Sequence, residues 1–350
     1  MSKPVLILDP DWRRMDELFS PAAKADLFGS YDVIWGRDGS IPSDVFEAAL
    51  PDVEVLIAAS PHVDSATLAR APKLKTIIEV SGAFPDTIDY AACFASNVEV
   101  LSCAPGFRQS VAEMGLAMAL AGARGLVAEH EAFRRGDENW LADHPKTDFT
   151  MYGAQIGFIG FGQIAQELTR LLAPFRPVVR AYDPWLPTAV AREFGVSLMP
   201  VEDVLQTSRC LFVTASPTSE NYKFINADRL AMLCDHALLV VLSRAHLVDY
   251  DALMSEVATH RIRACVDVFP SEPVAADDAI RTQPSAILSP HRAAAIDKGR
   301  QLIGDMIVSD LSAIRSRTQS RELSCARPDT IDVLAGVGDA MRVANMAKSR

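Results

Sequence analysis

Three predicted strands of this 350-residue chain end beside side chains that could carry acid–base chemistry. Arg244 follows one apolar run, Asp267 and Glu272 lie at the end of a second, and His291 follows a third. An arginine at a strand end can bind a carboxylate through two parallel hydrogen bonds. A histidine with a nearby carboxylate is the usual proton-transfer pair, because the acid orients the imidazole and favours its protonated form. These side chains therefore predict proton transfer on a substrate that carries a carboxylate.

Each of these residues also has a purely structural interpretation. Arg244 could form a salt bridge with a helix, Asp267 could cap the turn after its strand, and Glu272 could be an ordinary loop residue. His246 is nearer to Arg244 in sequence than His291 is, and we interpret it as structural or solvent-facing. From the residue types alone, these alternatives stay open.

A glycine turn between a buried strand and a helix provides the cofactor signal. The turn reads Gly160-Phe161-Gly162-Gln163-Ile164-Ala165 and fits the G-x-G-x-x-G/A dinucleotide fingerprint, with Ala in third place. Gly160 permits the tight turn, Gly162 lets the backbone approach a pyrophosphate, and Ala165 lets the helix lie close to the strand. The helix predicted over Ile164–Phe175 would present free N–H groups to the phosphates. The predicted cofactor contacts in this turn are Gly160, Gly162, Gln163 and Ile164.

A carboxylate ends the next predicted strand. The apolar run Val178–Tyr182 leads into Asp183, where a carboxylate would accept hydrogen bonds from the adenosine ribose. It would favour the free 2′-hydroxyl of NAD(H) and repel a 2′-phosphate, and Pro184-Trp185-Leu186 supplies no cation for a phosphate. The predicted cofactor is therefore NAD(H). Beside such a site, the arginine, histidine and carboxylate predict hydride transfer to or from a 2-oxo or 2-hydroxy acid.

Composition and charge restrict the class of protein. Apolar residues make up 49% of the chain and charged residues 23%, which predicts an ordinary globular fold. A net charge of −11 argues against nucleic acid and against anionic membrane surfaces as partners, so an anionic substrate would need a local cationic site. The predicted partner is a small-molecule 2-hydroxy or 2-oxo acid. The six cysteines form no C-x-x-C pair, which predicts buried thiols and neither disulfides nor a metal site. Without a recognisable signal peptide or bilayer-spanning run, the predicted location is cytoplasmic.

Apolar runs alternate with helical segments along the chain, which predicts an α/β fold. The predicted strands are Val5–Leu8, Asp32–Trp35, Val53–Ala59, Leu74–Val80, Val98–Ser102, Gln155–Gly160, Val178–Tyr182, Cys210–Ala215, Ala237–Leu242, Arg263–Phe269 and Ala286–Leu288. Long helices are predicted over Ser110–His130 and Ala293–Ser316, the second returning to the first domain. We therefore predict a discontinuous substrate domain at 1–104 plus about 294–335, and a cofactor domain at 105–293. A tail at 336–350 has a composition typical of disorder, and a ligand cleft is predicted between the domains.

Several motifs together resemble one enzyme family. They are Ser110-Val111-Ala112-Glu113, Asn139-Trp140, GFIGFGQIA, AYDP, LSRAHLVDYDAL, DVFPSEP and SPH. Through them, residues from about 75 to 310 resemble the NAD-dependent D-isomer-specific 2-hydroxyacid dehydrogenases, which include phosphoglycerate dehydrogenases and glyoxylate/hydroxypyruvate reductases. The resemblance implies two Rossmann-like or flavodoxin-like domains, each a doubly wound parallel sheet. It also implies a homodimer with contacts in the region 110–148.

The resemblance assigns roles to the residues at the strand ends. Arg244 would bind the substrate carboxylate and the C2 oxygen, and His291 would be the acid/base. Glu272 would hold His291, and Asp267 would lie against the nicotinamide. Ser243, next to Arg244 in the chain, is predicted to bind the cofactor. His291 is preferred to His246 as the acid/base because it occupies the position of the family's histidine.

The first domain is expected to supply a substrate loop. By the resemblance, the backbone N–H groups of Ser81, Gly82 and Ala83 would bind the substrate carboxylate. Phe84 stands where the family has a second glycine, which predicts a bulkier and more apolar pocket. Arg108 is predicted to add a contact for a diacid or phosphorylated substrate, with a surface arginine as the alternative.

Two other functions stay open. One is a phosphoglycerate-type dehydrogenase, although Ser60-Pro61-His62 lacks the arginines expected in that branch. The other is a catalytically weak NAD(H)-sensing scaffold that keeps the dehydrogenase fold and acts through protein contacts.

Overall fold

A computed structural model describes residues 3–144 and 146–337. The strands, in chain order, are β1 (Val5–Asp9), β2 (Asp32–Trp35), β3 (Val53–Ala58), β4 (Thr76–Glu79), β5 (Glu99–Ser102), β6 (Gln155–Ile159), β7 (Val178–Tyr182), β8 (Ser197–Leu198), β9 (Cys210–Val213), β10 (Leu238–Val241), β11 (Arg263–Val266), β12 (Ala286–Leu288) and β13 (Ser324–Cys325). The α-helices are α1 (Met15–Leu18), α2 (Pro21–Ser30), α3 (Ser43–Ala49), α4 (Ser65–Arg70), α5 (Tyr90–Ala95), α6 (Arg108–Ala123), α7 (Leu126–Arg135), α8 (Gln163–Leu172), α9 (Thr188–Glu193), α10 (Val201–Thr207), α11 (Ala227–Ala231), α12 (Tyr250–Ala258), α13 (Leu302–Arg315) and α14 (Ile331–Leu334). Short 3₁₀-helices span Ala104–Phe107, Ala173–Phe175, Ala245–Leu247 and Ala279–Thr282.

The chain divides into two compact units, one formed by residues up to 108 with those from 294 onward, the other by residues 109–293. The predicted first boundary, at 104/105, lies a few residues too early. The 3₁₀-helix Ala104–Phe107 stays with the first unit because Gly106 packs against Ile303 of α13, where an added Cβ would lie 2.4 Å from Cγ1. Gly336, predicted to belong to the tail, donates its N–H to the carbonyl of Phe84 at 2.8 Å. The rest of the predicted tail, 338–350, lies outside the described residues.

In the first unit the strand order is β13-β5-β4-β3-β1-β2. All pairs are parallel except β13, which runs antiparallel to β5. Strands β3 and β4 are almost wholly buried, as expected of parallel strands covered on both faces. One apolar cluster contains residues of α1, α2 and α13, and another contains residues of α4, α5 and α14. This unit is therefore a doubly wound α/β sheet.

The second unit has the strand order β12-β11-β10-β9-β6-β7-β8, and all its strand pairs are parallel. Strands β9 and β10 are buried along their whole length. The chain progresses from β6 to β8 toward one edge and then returns to place β9 on the other side of β6. Ligands of open α/β sheets bind at such a switch point, beyond the carboxyl ends of the strands. The predicted fold class of two doubly wound parallel sheets is confirmed.

Two predicted helices were wrong in extent. The helix predicted over Ser110–His130 is broken, since α6 ends at Ala123 and Gly125 has a left-handed backbone with φ 60°. The helix predicted from Ala293 begins only at Leu302, because turns occupy the segment before it. An amphipathic pattern shows which residues face a core but does not reveal such interruptions.

No single helix in the described ranges is long and apolar enough to cross a membrane. One bent pair, Ala104–Ala123 with Leu126–Arg135, would pass that test by length and composition, with an angle of 58° between its parts.

Candidate active site

The glycine turn joins β6 to α8. Its first glycine, Gly160, has no space for a side chain. Gly160 has φ 83°, and a Cβ there would lie 2.3 Å from the Cα of Ala215. Around Gly162, in contrast, a Cβ would meet nothing within 4 Å. Ala165 is fully buried, so α8 lies close to the sheet. The first glycine is thus required by packing, whereas the second leaves open space at the helix N-terminus.

The N-terminus of α8 is suited to a pyrophosphate. Gly162 is its N-cap residue and supplies no side-chain hydrogen bond to the first turn. The first N–H groups of a helix have no intrahelical partner and carry the positive end of the helix dipole. Open space and uncapped donors together fit the phosphates of a dinucleotide.

Asp183 lies beside this turn, at the end of β7. Its Oδ2 accepts the N–H of Phe161 at 2.8 Å, and its Oδ1 accepts the N–H groups of Trp185 and Leu186 at 2.9 and 3.0 Å. The carboxylate therefore links the glycine turn to the loop after β7. A carboxylate has about four lone-pair positions, so acceptor capacity remains for ribose hydroxyls. That ribose contact stays a prediction.

Arg244, Asp267 and His291 follow β10, β11 and β12, which are neighbours in one parallel sheet. Because parallel strands end at the same edge, the structure brings these three residues to one edge of the second unit. The glycine turn after β6 lies at the same edge.

His291 and Glu272 form a hydrogen-bonded pair. Nδ1 of His291 lies 2.7 Å from Oε2 of Glu272, whose Oε1 accepts the N–H of Phe269 at 2.9 Å. The carboxylate side chain is only 11% exposed and the imidazole is 45% exposed. Burial by itself would raise the pKa of Glu272, but the hydrogen bonds from His291 and Phe269 and the charge of Arg244 together lower it.

This pairing determines which ring nitrogen can exchange a proton with a ligand. An ionised Glu272 is an acceptor only, so Nδ1 of His291 carries the hydrogen that it binds. Nε2 is then the atom available for proton transfer.

The carboxylate of Asp267, which is fully buried, holds the backbone turn that carries His291. Its Oδ1 accepts the Ser289 hydroxyl and the N–H of Arg292 at 2.9 Å, and its Oδ2 accepts the N–H of Ala293 at 3.1 Å. Its backbone carbonyl also accepts the N–H of His291 at 2.8 Å. His291 has φ 51°, a conformation that disfavours most side chains and has to be held by its surroundings. The capping role considered for Asp267 is thus present, and contact with a nicotinamide stays a prediction.

Ser243 and Arg244 lie at the end of β10. The guanidinium of Arg244 donates to the carbonyl of Ser243 at 2.8 Å and contributes to the electrostatic field at Glu272. Among the described residues, the buried Ser243 hydroxyl has no hydrogen-bond partner, which leaves it able to bind a ligand. His246, the nearer histidine, bonds through Nε2 to the carbonyl of Thr218 at 2.9 Å, in agreement with a structural role.

In the first unit, the loop 81–83, which was predicted to bind the substrate, makes its hydrogen bonds within the chain. The N–H groups of Ser81, Gly82 and Ala83 donate to the carboxylate of Glu79, a residue that sequence reasoning missed. An acidic residue just before a small-residue turn was the available signal. Arg108 donates to the carbonyl of Pro105 at 3.3 Å, and its role toward a substrate stays a prediction.

Within the described residues, no group of three or more His, Cys, Asp or Glu side chains could hold a metal ion. The six cysteines are free thiols, four of them buried, and burial raises the pKa of Cys93 to about 11.

Comparisons with known proteins identify the family. The family model described as the D-isomer specific 2-hydroxyacid dehydrogenase NAD-binding domain matches residues 116–293. This chain belongs to that family. A solved structure of a phosphoglycerate oxidoreductase from Rhizobium etli matches with a TM-score of 0.82 and 33% identity, covering 93% of this chain and 99% of that one.

Curated members of the family are also similar to this 2-hydroxyacid dehydrogenase. The glyoxylate reductase of Pyrococcus horikoshii is 26% identical, covering 81% of this chain and 86% of that protein. The D-3-phosphoglycerate dehydrogenase of Mycobacterium tuberculosis is 30% identical over 87% of this chain, which spans about half (55%) of that longer protein. The predicted activity class is confirmed: this dehydrogenase is an oxidoreductase that acts on 2-hydroxy or 2-oxo acids with NAD(H).

Proposed function

We propose that this dehydrogenase transfers a hydride between NAD(H) and C2 of a small 2-hydroxy or 2-oxo acid, with Arg244, His291 and Glu272 as its catalytic residues. The observation that carries this proposal is the 2.7 Å hydrogen bond between His291 and the buried Glu272, in the electrostatic field of Arg244. An oriented imidazole, a cation and the glycine turn at one edge of the sheet are what proton-coupled hydride transfer needs.

In the reductive direction, Arg244 binds the substrate carboxylate and polarises the C2 oxygen. His291 gives its Nε2 proton to that oxygen, and the ionised Glu272 stabilises the imidazolium form until the proton leaves. When held by the backbone at the glycine turn, NAD(H) would supply or accept the hydride. Oxidation of the 2-hydroxy acid uses the same groups in reverse, with Nε2 as the base.

Steady-state oxidation of NADH in the presence of glyoxylate, hydroxypyruvate, pyruvate and bulkier 2-oxo acids tests the function. We expect at least one acid to support turnover and His291→Ala to lower kcat by about 10²–10⁴-fold. The matched control is His260→Ala, which removes a histidine whose hydrogen bond goes to Ser285 instead. Tight NADH binding without turnover of any acid would favour the scaffold alternative. Normal turnover by His291→Ala would contradict the proposed acid/base role of His291.

A phosphoglycerate-type substrate is the second candidate. Its support is the 33% identity with the Rhizobium etli phosphoglycerate oxidoreductase over nearly the whole of both chains. The absence of arginines at Ser60-Pro61-His62 argues against it. The test is to measure kcat/KM for oxidation of D-3-phosphoglycerate with NAD beside the kcat/KM values for the 2-oxo acids. The substrate with the higher kcat/KM identifies the substrate class.

The dehydrogenase is further proposed to act as a cytoplasmic homodimer. Large apolar side chains in the region 110–148 support the dimer. Leu126, Phe133, Trp140 and Leu141 are 61%, 60%, 76% and 101% exposed. Such a concentration of exposed apolar surface is typical of a protein interface. The cleft between the two domains stays a prediction.

A further inference from the structure

Tyr250 is the first residue of α12, and its hydroxyl donates a hydrogen bond to the backbone carbonyl of Val268. Its ring packs against the apolar core of the second unit, with its centroid 6.3 Å from that of Phe269. Burial, together with the charges of Glu272 and Asp267, raises the pKa of Tyr250, so the phenol keeps its hydrogen and stays a donor. The segment after β11 is therefore bound from the side of α12.

The carbonyl that accepts this hydroxyl lies in the segment that positions the acid–base pair. On one side of Val268 is Asp267, whose carboxylate holds the turn that carries the histidine. On the other side is Phe269, whose N–H donates to Glu272 at 2.9 Å. Val268 is 1% exposed, so its carbonyl would lose a donor that water does not replace. A shift that exposed this carbonyl would also move Phe269 and Glu272.

The helix that carries Tyr250 is itself fixed. Its N-cap residue, Asp249, forms an ion pair with Lys223 at 3.2 Å and donates its N–H to the carbonyl of Ile225 at 3.0 Å. Leu253, in the next turn of the helix, is fully buried. The hydroxyl therefore connects a fixed helix to the segment after β11.

We propose that Tyr250 is a positioning residue for the acid–base pair: through the carbonyl of Val268, its hydroxyl fixes the backbone from which Glu272 reaches His291. The carboxylate is then oriented toward the imidazole before any ligand binds. This inference rests on the proposed function, because it takes the pair as the proton-transfer group. Since proton transfer and not binding is concerned, kcat should change more than KM.

Tyr250→Phe tests the proposal, because it removes the hydroxyl and keeps the ring. We expect kcat for reduction of the best 2-oxo acid to fall by about tenfold, since a displaced Glu272 orients the imidazole less well. KM for the acid and for NADH should stay nearly unchanged. In Glu272→Gln the pairing is already altered, so the further change Tyr250→Phe should have little effect on kcat. This double-mutant cycle separates an effect through Glu272 from an independent one.

Ser208→Ala is the matched control. Ser208 lies in the same unit, is 2% exposed, and also donates its hydroxyl to a backbone carbonyl, that of Val204, at 2.5 Å. It precedes β9 and so lies at the opposite edge of the sheet from the acid–base pair. Its loss should lower the melting temperature and leave kcat unchanged.

The nitrogen chemical shifts of the His291 ring provide a measurement that does not need turnover. They report which ring nitrogen carries the hydrogen, and comparison with His291→Ala assigns them. In the wild type Nδ1 should carry it, whereas Tyr250→Phe should show a mixture of the two tautomers. If the wild type turns over no 2-oxo acid, the proposed function fails, but these shifts still decide whether Tyr250 positions Glu272.

Four results would overturn the proposal. The first is an unchanged kcat in Tyr250→Phe. The second is an equal fall in kcat with and without Glu272→Gln, because the hydroxyl would then act by another route. The third is a set of His291 nitrogen shifts in Tyr250→Phe identical to those of the wild type. The fourth is failure of Tyr250→Phe to fold, because the hydroxyl would then stabilise the whole unit and not one segment.

Discussion

At the scale of single residues, the position of His291 depends on two carboxylates with different tasks. Glu272 binds Nδ1 of the imidazole, and the buried Asp267 binds the backbone turn on either side of it. Glu272 is proposed to act on proton transfer, whereas Asp267 holds the left-handed backbone from which the ring projects. Replacement of Glu272 is therefore expected to change the activity, whereas replacement of Asp267 is expected to lower the stability of the turn that carries His291.

The lowered pKa of Glu272 predicts how its contribution to stability depends on pH. An acid whose folded-state pKa lies below its unfolded value of 4.5 contributes stability that is fully present above 4.5 and is lost as pH falls through the lower value. The difference in free energy of unfolding between wild type and Glu272→Gln should therefore not shrink between neutral pH and about pH 5. Urea unfolding at a series of pH values measures it, with the exposed Glu202→Gln as control. Loss of the difference already near neutral pH would contradict the lowered pKa.

Asp183 is expected to determine cofactor preference. Its removal takes away a negative charge from the place where the ribose is predicted to bind, so Asp183→Ala should reduce the preference for NADH over NADPH by about tenfold. Affinity for both cofactors should also fall, since the N–H of Phe161 loses its acceptor. The measurement is kcat/KM with each cofactor, and Asp235→Ala, 77% exposed at the side chain, is the control. A wild-type enzyme that is equally efficient with NADPH would contradict the predicted preference for NADH.

At the scale of elements, the two glycines of the turn before α8 have different tasks. Gly160 is needed for packing, and Gly162 is predicted to leave space for the cofactor. Gly160 lies against backbone atoms of Ala215, whereas Gly162 borders open space in front of the helix N-terminus. Two substitutions that look alike in sequence are therefore expected to act on different properties.

Gly160→Ala should lower the free energy of unfolding by more than about 1 kcal/mol, because φ 83° disfavours an L side chain and the added Cβ has no space. Gly162→Ala should fold normally, since its φ is −78°, yet bind NADH more weakly because the methyl group takes space at the phosphates. Chemical denaturation and NADH titration of both variants measure the two effects. Equal loss of stability in both variants would contradict this assignment.

At the scale of the whole molecule, net charge and exposed apolar surface bear on the proposed dimer. A net charge of −11 opposes self-association through random contacts, so a dimer needs a defined apolar surface. Trp140 packs edge-on against Phe133, with ring centroids 6.2 Å apart, and both side chains are largely exposed.

Trp140→Glu and Leu141→Glu are accordingly expected to convert the proposed dimer into monomers, because each places a charge in the apolar surface. Sedimentation velocity over a range of concentrations measures the change. The control is Ile296→Glu, which alters an apolar residue of 50% exposure outside the region 110–148. A wild-type protein that sediments as a monomer would refute the proposed dimer.

Several elements could be predicted from local patterns. The bounds of β2, β7 and β12 agree with the predicted strands, because short apolar runs bounded by turn residues are typical of strands. The antiparallel strand β13 was missed, since it is only two residues long and has no such pattern. The break at Gly125 was missed as well, because a glycine inside an amphipathic pattern does not reveal its φ.

The amino-acid sequence by itself determined the α/β alternation, the glycine turn and the strand-end positions of Arg244 and His291. Each of these is a pattern within a short stretch of chain, where the local preferences of the backbone decide the outcome. The tertiary structure alone decided that Asp267 holds the histidine turn and that Glu79 accepts the backbone N–H groups of residues 81–83. Those contacts depend on which of several possible acceptors the folded backbone brings within hydrogen-bond distance, and spacing along the chain does not contain that information.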